Sequence, residues 1–311
     1  MTRKIERILI AVKPWEDRLP ISNARATDLA RGLKAEVALT SCIRLSATAS
    51  ELSWMDAALS MDFDIARLDR VDDELAILER LAEPLLAAGV TVTTRAKSGA
   101  SAGRGILDEA ADWEADLLVA GVHELQLVPH PRLLDVDRQL MRLCPCPLLL
   151  ARGPETGLYR SILAAVDPLH GHAEPSGLDH LILGAARQFR DAFDAKLQII
   201  NVYPNPNEFE VVSAVEVSPG VFYGSENIEA VHRQAVIDLA DECGVSDADL
   251  LVRAGKPAAV IAEAAREQAA DLIVLGSIKR SRLHAMLLGS TAEIVVDEAE
   301  SDVLLLKPPS D

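Results

Sequence analysis

Apolar residues along this chain come in two textures. Short, mainly apolar runs rich in Val, Ile, Leu and Ala, such as ILIAV (8–12), DLLVA (116–120), ILAAV (162–166), QIINV (198–202) and LIVLG (272–276), have the length and composition of strands buried on both faces. Between them lie stretches with helical spacing, among them ATDLARGLK (26–34), DDELAILERLAEPLLAAG (72–89), LGAARQFRDAFDAK (183–196) and NIEAVHRQAVIDLADECG (227–244). Strands alternating with helices predict an α/β protein with a parallel sheet, covered on both faces and joined by right-handed crossovers.

The pattern runs twice. RILIAVKP, ending at Pro14, recurs as SILAAVDP, ending at Pro168, a shift of 154 residues. AGV (88–90) and CGV (243–245), ADLLVAG (115–121) and ADLIVLG (270–276), and the terminal runs PLLLAR and DVLLLK recur at a shift of 155. A duplication of this kind organises every later assignment. It divides the chain of 311 residues into domains at 1–152 and 159–311, with Arg152 to Tyr159 (RGPETGLY) as the linker. Each half also holds a long, variable connection, from Arg44 to Leu68 and from Pro204 to Gly224.

In an open parallel sheet, ligands sit outside the carboxyl ends of strands, where strand order reverses. That rule selects Lys13 or Asp167 after the first strand of each half, Val202 after the second strand of the second half, and Gly121 or Gly276 after the fourth. The stretch VLGSIKRSRLHAMLLGST (274–291) then stands out. A strand ending at Gly276, a loop, and a helix opening at Gly289-Ser290-Thr291 would surround an anion with backbone N–H groups and a positive helix end. Lys279, Arg280 and Arg282 would add charge, and Asp167 could accept hydrogen bonds from a ribose hydroxyl or an adenine amine or help hold a divalent metal. The same residues are also ordinary turn and N-cap chemistry, and no Walker A sequence occurs.

Charge narrows the partners. The net charge of −17 disfavours nucleic acid and anionic membrane surfaces. Residues 1–155 hold 19 Lys and Arg against 24 Asp and Glu, residues 156–311 only 12 against 24, so the cations at 279–282 lie in the more acidic half. The apolar run before Lys13 is five residues long, too short for a signal-peptide core or a membrane span, and a cytoplasmic location is expected. Four cysteines without C-x-x-C spacing predict thiols rather than a disulfide framework.

With the duplication, the strand ends and this loop in view, the chain resembles a tandem universal stress protein of the E type. The likeness is carried by SILAAVDP with Asp167, ADLIVLGS with Gly276, LLGSTAEIVV with Gly289 and Ser290, the terminal DVLLLKP, and DRQLMRLCPCPLLLA (137–151) in the first half. The resemblance implies two five-stranded, Rossmann-like α/β sandwiches of strand order 3-2-1-4-5, paired through their edge strands. It also implies an ATP site, with Mg²⁺, in the second domain, at Asp167, Val202, Gly276, Ser277, Lys279, Gly289, Ser290 and Thr291. ATP-binding members carry G-x-x-G, nine residues, then G-[ST]. Here Lys279 stands at the second glycine, where a side chain either obstructs phosphate approach or offers an ammonium in place of backbone contacts. In the first half, Lys13, Glu124 and Leu134-Asp135 replace Asp167, Lys279 and Gly289-Ser290, so that half reads as a structural or protein-binding partner that keeps only Gly121.

The expected function is that of a stress-response sensor or adaptor that binds an adenine nucleotide without efficient turnover and engages a protein partner, with homodimerisation left open. The alternative is a nucleotide-independent scaffold or hydrophobic-ligand binder with both sites degenerate. No catalytic residue and no protein-held metal is assigned. GASAG (99–103) fits a nucleophile-elbow pattern at Ser101, but its repeat counterpart AGKPAAV has no serine, so both read as turns between strand and helix. His170, His172 and His180 near Asp167 match no zinc spacing, and Cys144 and Cys146 read as fillers at a strand entrance, with a redox role as the alternative. The apolar connection FEVVSAVEVSPGVFYG (209–224) could be a lid, a pocket wall or an interface.

Overall fold

The computed structural model describes residues 3–14, 17–44, 60–99, 101–122, 135–152, 158–169, 177–204, 228–277 and 290–308, of which 44, 60–69, 135 and 290 are described in the backbone alone. The chain divides into two compact units, Arg3–Leu158 and Tyr159–Asp311.

The first unit runs β1 (Arg7–Ala11), α1 (Asn23–Leu33), β2 (Glu36–Arg44), α2 (Ser60–Ala87), β3 (Val92–Gly99), α3 (Ala102–Asp112), β4 (Leu117–Gly121), α4 (Asp135–Leu143) and β5 (Leu148–Ala151). Its strands lie in the order β3-β2-β1-β4-β5 and every pairing is parallel. The second unit repeats this with β6 (Ser161–Ala165), α5 (Leu178–Phe193), β7 (Lys196–Tyr203), α6 (Ile228–Cys243), β8 (Asp249–Ala254), α7 (Pro257–Glu267), β9 (Leu272–Gly276), α8 (Ser290–Glu298) and β10 (Asp302–Leu306). Its order is β8-β7-β6-β9-β10, again all parallel. Both units therefore have the 3-2-1-4-5 order. The central strands carry the cores: Ile8, Leu9 and Ile10, and likewise Ile162, Leu163 and Ala164, have no exposed surface.

The duplication has a physical basis at the amino edge of each sheet. Asp116, of the ADLLVAG run, accepts hydrogen bonds from the backbone N–H groups of Glu6 and Arg7, both 3.0 Å. Asp271, of ADLIVLG, does the same for Arg160 at 2.7 Å and Ser161 at 2.9 Å. A carboxylate at this position satisfies backbone donors where the first strand of the unit begins, which a Leu or Val could not do.

One boundary differs from the sequence reading. Helix α2 begins at Ser60, inside the connection expected from Arg44 to Leu68. No glycine or proline occurs between Ser60 and Glu83, so nothing stops the helix extending towards its amino end. Tyr159, where the second domain was expected to begin, opens the second unit as a core residue. It is 1% exposed, its hydroxyl donates to Asp302 Oδ2 at 2.7 Å, and its ring meets Phe189 and Phe193 edge-on at 5.7 and 5.6 Å. An aromatic with a satisfied hydroxyl can bury completely, and this one anchors the start of the second unit between α5 and β10.

Candidate functional site

The carboxyl edge of the second sheet gathers four of the eight predicted site residues. Asp167 follows β6, Val202 lies near the end of β7, Gly276 ends β9 and Ser277 follows it, and β7, β6 and β9 are neighbours in the sheet. Helix α8 points its amino end to the same edge. Its carboxyl end, Glu298, lies four residues before β10 starts at the amino edge, and nine residues at ~1.5 Å each run back across most of the sheet. Ser290 opens that helix and Thr291, half-buried, follows it in the first turn. Lys279 and Gly289 lie outside the described residues, as do the Ser290 side chain, the connection 209–224, His170 and His172.

Asp167 is exposed, and its backbone is held from two sides. Its N–H donates to Asp179 Oδ1 at 3.1 Å, and Asp179 is buried in the first turn of α5. The preceding residue, Val166, donates its N–H to the Ile200 carbonyl at 3.0 Å and accepts from Asn201 Nδ2 at 2.9 Å. The carboxylate thus stands on a fixed backbone at the strand end.

Asn201 links this edge to α6. Its Oδ1 lies 2.9 Å from His232 Nδ1, and Asn201 has no exposed surface. Because the Val166 carbonyl can only accept, the amide must direct Nδ2 there and Oδ1 to the histidine, so His232 Nδ1 carries a proton and donates. In the neutral ring Nε2 is then the acceptor. The imidazole stacks on Tyr203 with centroids 5.2 Å apart, and burial holds its pKa below the usual histidine value, opposed by the negative charge of Asp167. Neither Asn201, His232, Tyr203 nor Asp179 was selected from the sequence. The available signal was Asn201 itself, a polar residue inside the apolar run QIINV.

Gly276 has a packing explanation. A Cβ there would come 2.6 Å from Leu178 Cδ2 and 3.1 Å from Leu178 Cγ, so α5 can approach β9 only because the side chain is absent. Gly121 is placed similarly against Pro20, 3.1 Å from a Cβ position. Ser277, buried, continues the ladder by donating its N–H to the Leu306 carbonyl at 2.8 Å.

The equivalent edge of the first unit carries different groups. Lys13, half-buried, occupies the Asp167 position. By strand register Ser41 replaces Asn201, and by the 155-residue repeat Ile77 replaces His232. Glu124 and Leu134 lie outside the described residues.

Ser101, in the nucleophile-like GASAG, is the N-cap of α3, its Oγ accepting from the Arg104 N–H, and it faces Gln139. His180 Nε2 lies 3.0 Å from Glu242 Oε2. All four cysteines are thiols. Among the described residues no three His, Cys, Asp or Glu side chains form a group able to hold a metal, and no helix is long and apolar enough to cross a membrane.

Two parallel five-stranded units of this order, each beginning with a capped strand, define a tandem α/β protein built from open parallel sheets. The universal stress protein family model matches the chain twice, over residues 4–152 and 158–307, and the chain belongs to that family. It is 26% identical to universal stress protein E of Escherichia coli (strain K12) over 208 residues, covering 65% of this chain and 64% of that protein. With the universal stress protein E homolog of Haemophilus influenzae it shares 27% identity over 205 residues, 65% of each. The chain thus spans just under two thirds of the length of these relatives. A solved structure from Pseudomonas aeruginosa UCBPP-PA14 superposes with a TM-score of 0.72 at 26% identity, over 98% of this chain and 94% of that one.

Proposed function

We propose that this tandem universal stress protein acts as a stress-response sensor or adaptor, and that its second unit binds an adenine nucleotide, with Mg²⁺, at the carboxyl edge of its sheet. The observation that carries the reading is the convergence of Asp167, Val202 and Ser277 on three neighbouring strand ends, with the amino end of α8 directed to the same edge. The donor set suits the ligand. An exposed carboxylate on a fixed backbone can accept from a sugar hydroxyl or an amine, and a helix amino end favours phosphate. A bound nucleotide would supply the phosphate charge to which the amino end of α8 and the cations at 279–282 respond.

Binding without efficient turnover is the expected mode: among the described residues His232, behind this edge, is buried against Asn201 and Tyr203 rather than paired with a nucleophile. Signalling then follows from population shift, with the liganded arrangement of the edge presenting a different surface to a protein partner. The first unit, with Lys13 and Ser41 in place of Asp167 and Asn201, serves as a structural or protein-binding partner domain.

The packing role of Gly276 favours a second reading, a nucleotide-independent scaffold or hydrophobic-ligand binder, since the glycine is accounted for without any ligand. Calorimetric titration of the full chain with Mg-ATP separates the two. Heat of binding that disappears in Asp167→Ala supports the nucleotide site; no heat from the parent protein supports the scaffold.

A further inference from the structure

Cys144 and Cys146 sit between the end of α4 and the start of β5, with Pro145 between them and Pro147 after them. Their sulfurs are 3.7 Å apart, in contact. The backbone on both sides is pinned: the Cys144 N–H donates to the Leu140 carbonyl at 2.9 Å in the last turn of α4, and the Pro147 carbonyl accepts from Leu118 of β4 at 2.9 Å. Two prolines fix φ, and the chain bends at Pro145 and Cys146. Residues two apart cannot have Cα atoms separated by more than ~7 Å even when extended. A bend brings them inside the range a disulfide bridges, ~4.4–6.8 Å.

The two thiols differ in access. Cys144 is 3% exposed, whereas Cys146 is partly exposed. An accessible thiol in contact with a sheltered second one is the arrangement in which oxidation of the first is captured by the second. The other cysteines lack it: Cys42 and Cys243 are each single, and burial pushes both thiols up, keeping them protonated and slow to react.

We propose that Cys144 and Cys146 form a hydroperoxide-responsive dithiol that closes reversibly into an intrachain disulfide at the entrance to β5. The Cys146 thiolate attacks a peroxide oxygen, the O–O bond breaks, and a sulfenic acid forms with release of hydroxide, or of an alcohol for an organic hydroperoxide. The Cys144 thiol then attacks the sulfenic sulfur, the S–O bond breaks and water leaves. With hydrogen peroxide the sum is two thiols and one peroxide giving one disulfide and two waters. Each sulfur loses one electron and the peroxide takes both. A ring spanning one intervening residue is tight, so a dithiol reductant reopens it.

The test treats the full chain with one equivalent of hydrogen peroxide, alkylates remaining thiols under denaturing conditions, and digests with trypsin. Cleavage after Arg142 and Arg152 releases LCPCPLLLAR, which holds both cysteines and neither of the others. The expected result is an unalkylated peptide about 2 Da lighter than the same peptide with two free thiols, returned to the dithiol mass by dithiothreitol, with Cys42 and Cys243 fully alkylated. In Cys144→Ser the oxidised Cys146 should instead be trapped by dimedone, and in Cys146→Ser the peptide should remain alkylated at Cys144. A peptide that gains oxygen without losing two hydrogens, one that stays fully alkylated, or one cross-linked between chains would overturn the proposal.

Discussion

Asn201 Oδ1 and His232 Nδ1 lie 2.9 Å apart beneath the carboxyl edge of the second sheet, and the same asparagine holds the Val166 carbonyl with its Nδ2. One side chain therefore fixes both the backbone that presents Asp167 and the ring that packs behind it. Replacing it with alanine leaves a buried carbonyl and a buried imidazole N–H unsatisfied. Asn201→Ala is expected to lower stability by about 1–3 kcal/mol, read by urea denaturation.

The histidine predicts a pH dependence whose sign follows from its lowered pKa. Burial disfavours the imidazolium in the folded state, so the unfolded chain takes up this proton first as pH falls. The contribution of His232 to stability is complete above the unfolded value of about 6.5 and is lost as pH drops through that value towards the lower folded one. Protonation leaves the Nδ1–H bond to Asn201 in place; the penalty is desolvation alone. Denaturation midpoints between pH 7.5 and 5 should fall more steeply for the parent than for His232→Gln. Equal slopes would show that the ring titrates in the fold as it does in the unfolded chain.

Gly276 lets packing and ligand roles be separated. Gly276→Ala places a methyl 2.6 Å from Leu178 Cδ2 and is expected to cost about 1–3 kcal/mol. Leu178→Ala removes the clash, so the double variant should lose less than the sum of the two single ones. Additive losses in the double-mutant cycle would refute the steric account.

At the opposite edge, Asp271→Ala removes the acceptor shared by Arg160 and Ser161 and should destabilise the second unit by about 1–3 kcal/mol. Asp116→Ala should do the same to the first unit. Hydrogen exchange, measured unit by unit, is the appropriate readout, with faster exchange in β6 for the one variant and in β1 for the other.

These cases show which features the sequence exposes. The strands were legible because a parallel sheet buried on both faces demands continuous apolar runs, and the duplication was legible because Asp116 and Asp271 answer the same backbone requirement in each half. The carboxyl-edge candidates Asp167, Val202 and Gly276 followed from the sheet rule alone. What escaped was chemistry that depends on contacts distant in sequence. Nothing local ties Asn201 to His232, or Tyr159 to Asp302. Gly276 was legible as a glycine but not as the partner of Leu178, since that reason lies on a different helix. The start of α2 was missed because the apolar stripe is clear only from Asp72, while the absence of a helix breaker upstream was the better guide.

The most direct test of the central claim is the number of adenine nucleotides bound per chain. Equilibrium dialysis with labelled Mg-ATP is predicted to give one nucleotide per chain for the parent and for Lys13→Ala, and none for Asp167→Ala. Two nucleotides per chain, or a stoichiometry indifferent to Asp167, would contradict an account in which the second unit alone carries the site.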